Sequence, residues 1–243
     1  AVTKKPFLGF SDTTLNHFML HKVGLPTFYG QAFLPDVCEL APEMLPYTKR
    51  YFEEFLKTGT IREVRPSELW YTSRTDFSPE ALGTELPAHK NTGFELLQGP
   101  AQFDGEILGG CIDSMYEMFS GWRYGDMPEV CRNYGLFPSM DDWLGKILLM
   151  ESCEEYMPPE TYKKALETLQ ETGVFDAVSG VLVGKPMDDM YHEEYKKLLV
   201  ETISNKELPI LCNINVGHAQ PRCILPFGVP AHVDADAQVI RFG

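Results

Sequence analysis

Three side chains with the chemistry of acyl transfer stand in the order serine, glutamate, histidine along this 243-residue chain. They are Ser11, Glu151 and His218, and each comes directly after an apolar run. The reactive groups of an open α/β sheet gather at the carboxyl ends of its strands. A serine, an acid and a histidine at that edge are the parts of a hydrolase triad, so their order and placement predict one active site.

The segment around Ser11 has the features of a strand that turns sharply into a helix. Serine is a weak nucleophile and needs a base, together with donors for the oxyanion that forms. Gly9 permits close backbone approach, and the backbone N–H of Asp12 at the helix start is expected to serve as an oxyanion donor. Thr13 stands where the usual turn has a second glycine, so the match to that motif is partial.

Each of the three residues also has a purely structural interpretation. A serine followed by an aspartate before an amphipathic pattern commonly caps a helix, which would explain Ser11. Glu151 has acidic neighbours and would then be a solvated carboxylate, and His218 would be a turn residue next to a glycine. The combination at three strand ends is what favours the triad over these alternatives.

The other histidines are not predicted to bind a metal. His17 and His21 have the four-residue spacing of ligands on one helix face, but no HExxH pattern accompanies them and polar neighbours indicate a solvated face. His89, His192 and His232 lack a glycine-turn context and are expected at the surface or in the core. The sequence therefore predicts no metal and no cofactor.

The charge balance limits the class of partner. Acidic residues outnumber basic residues 35 to 21, which gives a formal net charge of −14. A general nucleic-acid surface needs a basic face, so no nucleic-acid partner is expected, although one small nucleotide in a pocket remains compatible. No secretory segment and no run of about 18 apolar residues is present, which predicts a soluble cytoplasmic protein without membrane contact.

Six cysteines are present, and no two of them form a close CxxC pair. Because zinc-binding sequences commonly contain such pairs, no zinc site is expected, and the thiols are predicted to be reduced. Cys212 lies in an apolar run and is predicted to be buried. The six are Cys38, Cys111, Cys131, Cys153, Cys212 and Cys223.

Hydrophobic periodicity predicts strands that alternate with helices. Strands are expected at residues 6–10, 25–30, 106–112, 146–150, 180–184 and 209–215, with short β runs at 223–226, 231–234 and 238–242. Helices are expected at about 12–23, 46–57, 113–119, 158–172 and 191–203. Residues 59–100, which proline and glycine interrupt, are expected to be irregular.

This order predicts an α/β protein with a parallel-sheet portion that carries the nucleophile turn, followed by a C-terminal α/β domain with short antiparallel strands. The expected divisions are residues 1–75 for the remainder of an N-terminal α/β domain, 76–104 for a connecting segment and 105–243 for a C-terminal domain with Glu151 and His218. A buried strand so near Ala1 normally has neighbours on both sides. We therefore expect that the N-terminal portion is incomplete and that these residues alone are a weakened catalyst.

Ordered motifs along almost the whole chain resemble the LD-carboxypeptidase family of serine peptidases, and within it the microcin C immunity type. Residues 7–14 resemble the family's nucleophile segment, 146–151 the strand that ends in its triad glutamate, and 217–221 with 225–228 the segment of its triad histidine. Thr27-Phe28-Tyr29-Gly30 resembles a Thr-Phe-His-Gly stretch of the family, and Gly109-Gly110-Cys111-Ile112 resembles its Gly-Gly-Asn-Leu motif.

The resemblance implies that Ser11 is the nucleophile, His218 the general base and Glu151 the acid that orients the histidine. It implies cleavage of an amide next to a terminal D-residue or a nucleotide-like group by a cytoplasmic homodimer, without metal or cofactor. The residues that it places near the substrate are Trp70, Gly109, Gly110 and Cys111.

Three departures from the family pattern bear on activity. Cys111 stands where the family usually has asparagine, so any hydrogen bond from that amide is lost. Ser152 stands where an aspartate commonly follows the glutamate. Family members also carry an α/β segment before the nucleophile strand, with a glycine-rich loop that gives the second oxyanion donor, and these 243 residues do not include it.

Two substrate classes remain open, together with a function that is not catalytic. Residues 66–70 resemble the immunity-type loop, in which Trp70 would stack on a nucleotide base, an interaction worth roughly 1–3 kcal/mol. Alternatively Trp70 only packs the loop, and the substrate is a peptide that ends in a D-residue. The chain could also be an inactive relic that binds peptide or nucleotide ligands.

Overall fold

The structure is a computed structural model, and it describes residues 5–243. Within that range the chain forms thirteen β-strands and eight α-helices. The strands are β1 (Leu8–Gly9), β2 (Thr27–Tyr29), β3 (Glu63–Val64), β4 (Leu69–Tyr71), β5 (Ala88–Lys90), β6 (Glu95–Gln98), β7 (Gln102–Cys111), β8 (Ile147–Glu151), β9 (Gly180–Gly184), β10 (Ile210–Ile214), β11 (Leu225–Phe227), β12 (Pro230–Asp234) and β13 (Val239–Phe242). The α-helices are α1 (Thr14–Lys22), α2 (Pro46–Thr58), α3 (Ile112–Ser120), α4 (Met127–Tyr134), α5 (Met140–Trp143), α6 (Pro159–Glu171), α7 (Val174–Ala177) and α8 (His192–Thr202).

An eight-stranded mixed sheet in the order β3-β13-β12-β7-β8-β9-β10-β6 forms the larger layer. Its middle strands β7, β8, β9 and β10 are parallel. Strands β8, β9 and β10 are buried at every residue, which explains why they appear in the sequence as continuous apolar runs. Antiparallel strands extend the sheet on both sides, so the predicted α/β class is confirmed.

A separate three-stranded sheet holds the segment that leads to Ser11. Strand β2 lies in its middle, parallel to β1 and antiparallel to β11. The strand expected at residues 6–10 is therefore present but spans only two residues. Because β11 comes from the C-terminal part of the chain, the pairing brings the histidine-bearing segment next to the serine-bearing one; the division into domains stays a prediction.

The expectation that residues 59–100 are irregular was wrong. They contain four short strands, of which β3 and β6 form the two edges of the large sheet and β4 pairs with β5. Strands of two to four residues are too short to show alternation, and the surrounding prolines and glycines obscure the pattern further. Helices α4, α5 and α7 were also not predicted.

His17 is fully buried, so the predicted solvated face of α1 is corrected at this residue. Its ring lies 2.7 Å from Thr27 Oγ1 and 3.3 Å from the carbonyl oxygen of Gly9. Burial lowers the pKa of His17 to about 4, and the hydrogen bond with Gly9 opposes that shift only in part. His17 is consequently a neutral residue that joins α1 to β1 and β2.

All six cysteines are free thiols, and Cys212 is buried as predicted. Of the helices within residues 5–243, none combines the length and the apolar character that crossing a membrane requires.

Candidate active site

Ser11 lies on the sharp turn between β1 and α1. Its φ angle of 63° is in the left-handed region, where a non-glycine residue costs on the order of 1–3 kcal/mol. A serine in this strained position is typical of a strand-to-helix nucleophile turn. The turn is held by the Thr13 hydroxyl, which donates to the Phe10 carbonyl at 2.7 Å, and by the Thr14 hydroxyl, which donates to the Ser11 carbonyl at 2.7 Å.

The three side chains that the sequence singled out are in contact. Ser11 Oγ lies 3.0 Å from His218 Nε2, and His218 Nδ1 lies 2.7 Å from Glu151 Oε2. The backbone N–H of His218 donates to the same carboxylate oxygen at 3.2 Å. Glu151 ends β8, while His218 is in the turn that follows β10. The carboxyl ends of two strands of the large sheet therefore meet the Ser11 turn of the small sheet.

Tyr29 belongs to the same network, and the sequence analysis did not identify it. Its hydroxyl donates to Glu151 Oε1 at 2.6 Å and accepts the backbone N–H of Ser11 at 3.1 Å. Burial, followed by the charge of Glu151, raises the pKa of Tyr29 well above its usual value, so the hydroxyl keeps its proton and can donate it. The available signal was its place in the Thr27–Gly30 motif, where the family pattern has histidine.

Two glycines provide the space for these contacts. A Cβ atom on Gly110 would lie 2.3 Å from Thr14 Oγ1 and 2.8 Å from the ring of Tyr29. A Cβ atom on Gly217 would lie 2.3 Å from Glu151 Oε2. Gly217 also has a φ of 84°, which glycine adopts without penalty, so a larger residue there would displace the carboxylate.

A second carboxylate approaches the nitrogen of His218 that faces Ser11. Glu154 Oε2 lies 3.1 Å from His218 Nε2, and the side chain of Glu154 is 60% exposed. Burial of His218 favours its neutral form, but the charge and hydrogen bond of Glu151 together with those of Glu154 outweigh burial and raise the pKa of His218 to about 10. The hydrogen bond from His218 lowers the pKa of Glu154 to about 2. Each ring nitrogen of His218 thus lies against a carboxylate oxygen, an arrangement that favours the imidazolium form.

A cavity of about 560 Å³ opens over Ser11 and His218. Much of its wall is apolar, including Phe10, Leu34 and Phe77. Two arginines also line it, and both are already paired: Arg74 Nε with Glu39 at 2.5 Å, and Arg222 Nη1 with Asp36 at 2.8 Å.

The other predicted site residues are not among those that line this cavity. The N–H of Asp12 is in the first turn of a short 3₁₀ helix, Ser11–Thr13, where backbone N–H groups have no partner within their own helix. Gly109 and Gly110 lie in β7, and the N–H of Cys111 at its end donates to Thr14 Oγ1 at 2.9 Å.

Trp70 lines a second cavity, of about 340 Å³, together with Lys90 and Lys185. The ring of His89 stacks on the indole with centroids 4.2 Å apart, and Lys185 Nζ lies 4.8 Å from the indole centroid. A nucleotide base that stacks on Trp70 would have to compete with these two neighbours.

Comparisons with known proteins identify the family. The sequence profile of the LD-carboxypeptidase C-terminal domain matches residues 104–233. The microcin C7 self-immunity protein MccF of Escherichia coli is 26% identical over 238 residues, which cover 96% of this chain and 63% of that protein. The chain thus spans less than two thirds of the length of that relative.

Solved structures show the same fold. An MccF-like protein from Streptococcus pneumoniae, crystallised in complex with AMP, is 58% identical and superimposes with a TM-score of 0.97, covering 100% of this chain and 70% of its own. The apo structure of the microcin C7 self-immunity protein MccF is 24% identical, with a TM-score of 0.77 over 99% of this chain and 68% of its own.

The hydroxyl of Tyr29 should govern the reactivity of Ser11. Tyr29→Phe removes a hydrogen bond to a buried carboxylate, worth about 1.5–3 kcal/mol, and also one from the backbone of Ser11. We expect the rate at which a fluorophosphonate labels Ser11 to fall roughly 10–100-fold. Tyr47→Phe is the matched control, because it removes one hydroxyl bond, to the Arg65 carbonyl, outside the site; equal rates in the two variants would contradict the assignment.

Glu154 should raise the pH at which His218 loses its proton. In Glu154→Gln one stabilising charge is gone, so the midpoint of the His218 titration, followed by NMR, should move to lower pH. The expected shift is roughly 0.2–0.7 pH unit, because an exposed ion pair contributes about 0.2–1 kcal/mol and one pKa unit corresponds to about 1.36 kcal/mol.

Glu155→Gln serves as the control, since Glu155 pairs with Arg123 at 3.0 Å. An unchanged midpoint in Glu154→Gln would show that this carboxylate does not stabilise the imidazolium. Because the pKa of His218 is raised on folding, its protonation contributes to the free energy of unfolding. That contribution is complete below about pH 6.5 and is lost as the pH rises through about 10.

Proposed function

Because the chain belongs to the LD-carboxypeptidase family, we propose that it is a serine hydrolase that cleaves an amide bond next to a nucleotide-like group. Ser11 is the nucleophile, His218 the general base and Glu151 the residue that orients the base. The observation that carries the proposal is the pair of contacts from Ser11 Oγ to His218 Nε2, at 3.0 Å, and from His218 Nδ1 to Glu151 Oε2, at 2.7 Å. A cytoplasmic homodimer is part of the same proposal.

The proposed reaction proceeds through an ester on Ser11. Ser11 Oγ adds to the amide carbonyl while its proton passes to His218 Nε2, and the N–H of Asp12 stabilises the oxyanion. The C–N bond breaks when His218 returns the proton to the leaving nitrogen. Water then adds to the ester by the same route and releases the acid. Glu151 stabilises the imidazolium that forms in each half of the reaction.

The nucleotide-like substrate class has three sources of support. The relative that is 58% identical was crystallised in complex with AMP. Trp70 lines a cavity in which its indole could receive a base in place of its contacts with His89 and Lys185. Both arginines of the cavity at Ser11 are paired within the protein, so the free carboxylate of a peptide ending in a D-residue would find no unengaged guanidinium there.

A ligand-binding protein without hydrolytic activity is the second candidate. The observation that favours it is the contact between Glu154 and His218 Nε2, because a base that remains protonated cannot accept the proton of Ser11. Cys111 in place of the family's asparagine points the same way, since the thiol cannot replace the hydrogen bonds of an amide.

Ser11→Ala separates the two candidates. With an aminoacyl-sulfamoyl nucleotide as substrate, we expect the wild-type chain to release the free amino acid and Ser11→Ala to lose nearly all turnover while it still binds the ligand by calorimetry. His218→Ala should be about as damaging, because triad members act as a unit. Wild-type binding without release would support the binding protein, and full turnover in Ser11→Ala would return Ser11 to a capping role.

Trp70 should select the substrate class. In Trp70→Ala, kcat/KM for an aminoacyl-sulfamoyl nucleotide should fall by roughly 5–150-fold, the equivalent of about 1–3 kcal/mol of stacking, while a peptide ending in a D-residue is affected less. Trp70→Phe keeps an aromatic face and should restore most of the loss. An equal loss on both substrates would mean that Trp70 only holds its loop.

A further inference from the structure

Two cysteines and an aspartate meet beneath the candidate triad. Cys111 ends β7, Asp113 is in the first turn of α3, and Cys153 is two residues beyond the end of β8. One ligand atom from each of the three lies within 4.8 Å of the other two. All three residues are buried, with exposed fractions of 1%, 1% and 3%. Cys111 and Cys153 are 42 positions apart in the sequence, so no local motif indicated the cluster.

The carboxyl group of Asp113 is only half satisfied. Its Oδ2 accepts the N–H of Cys153 at 3.0 Å and lies 3.6 Å from Cys111 Sγ. Its Oδ1 is buried and has no hydrogen-bond partner among the described residues. Burial raises the pKa of Asp113. A buried carboxylate with an unpartnered oxygen is costly, and a cation bound to the carboxylate would offset that cost.

The spacing suits a tetrahedral metal site. With metal–sulfur bonds of about 2.3 Å and metal–oxygen bonds of about 2.0 Å, a tetrahedral ion separates its sulfur and oxygen ligands by roughly 3.5 Å. The thiol of Cys111 donates to Asp113 Oδ2 at 3.6 Å, so an ion that replaced the thiol proton would leave the separation of the two atoms nearly unchanged.

Arg123 would support one of the metal ligands. Arg123 Nη2 donates to Cys153 Sγ at 3.4 Å. Metal ligands commonly receive such hydrogen bonds from neighbouring groups, which orient them and tune the metal.

We propose that Cys111, Asp113 and Cys153 form a binding site for a thiophilic divalent cation of the Zn²⁺ class. Binding releases the proton of each thiol and any proton on the carboxyl group, and the ion takes two thiolates and one carboxylate oxygen. Three protein ligands leave the fourth tetrahedral position to water. Because Cys111 is the register partner of Glu151 in the parallel pair of β7 and β8, the ion fastens the two strand ends that carry the triad glutamate. The proposal does not depend on the proposed hydrolase activity.

The test is a titration of the reduced chain with Co²⁺, followed by absorption. We expect a thiolate-to-cobalt charge-transfer band and the visible bands of tetrahedral Co²⁺, saturating at one ion per chain and displaced by Zn²⁺. Loss of an outer-shell group alone changes metal affinity by about 10–100-fold, so Cys153→Ser should weaken Co²⁺ binding by at least that factor.

Cys131→Ser is the matched control, because Cys131 is also a buried thiol but lies on α4, outside the cluster. Its binding curve should equal that of the wild type. If Cys153→Ser does not fold, Asp113→Asn, which keeps the side-chain shape, should show the same loss. Absence of a thiolate band in the wild type, or an undiminished band in the variant that folds, would overturn the proposal.

Discussion

The buried carboxylate of Glu151 is the group on which the arrangement of the site depends. Its side chain has no exposed surface, and it ends a strand whose every residue is buried. An isolated charge in such a place is very unfavourable unless donors surround it. The donors are the hydroxyl of Tyr29, the ring of His218 and the backbone N–H of His218. These donors come from β2 and from the turn after β10. Hydrogen bonding to one carboxylate on β8 therefore fixes the relative positions of three segments.

Tyr29 extends this constraint to Ser11. Its hydroxyl has one proton, which it gives to Glu151, and lone pairs, one of which accepts the N–H of Ser11. The strained backbone of Ser11 is thereby tied to the same carboxylate that orients His218, through a single oxygen atom. Thr14 adds a second link, since its hydroxyl donates to the Ser11 carbonyl and accepts the N–H of Cys111. The positions of Ser11, Glu151 and His218 are consequently coupled, as expected of a preorganised site.

The sequence predicted the parts of this structure that depend on local pattern. Continuous apolar runs identified β8, β9 and β10 within one or two residues. The positions of Ser11, Glu151 and His218 after such runs predicted that the three side chains would meet, and they are in contact. The pattern failed where partners are distant in sequence. Tyr29 finds Glu151 across 122 residues, and the burial of His17 depends on Thr27 and on packing that its own helix does not reveal. Side-chain contacts of this kind follow from how the two sheets meet, which no local periodicity encodes.

The state of the site without a ligand depends on whether His218 Nε2 carries a proton. His218 Nε2 can donate a proton to Glu154 or accept one from Ser11, but it cannot do both at once, although the two oxygens lie at nearly equal distances of 3.1 and 3.0 Å. The side chain of Glu154 is mostly exposed, whereas that of Glu151 is enclosed. Water can therefore replace the contact between Glu154 and His218 more readily than the contact between Glu151 and His218. A ligand that enters the cavity between Ser11 and Glu154 would separate the exposed carboxylate from the ring and leave the enclosed one in place. The imidazole would then keep the partner that orients it and lose the partner that holds its proton, which is the change that a general base requires.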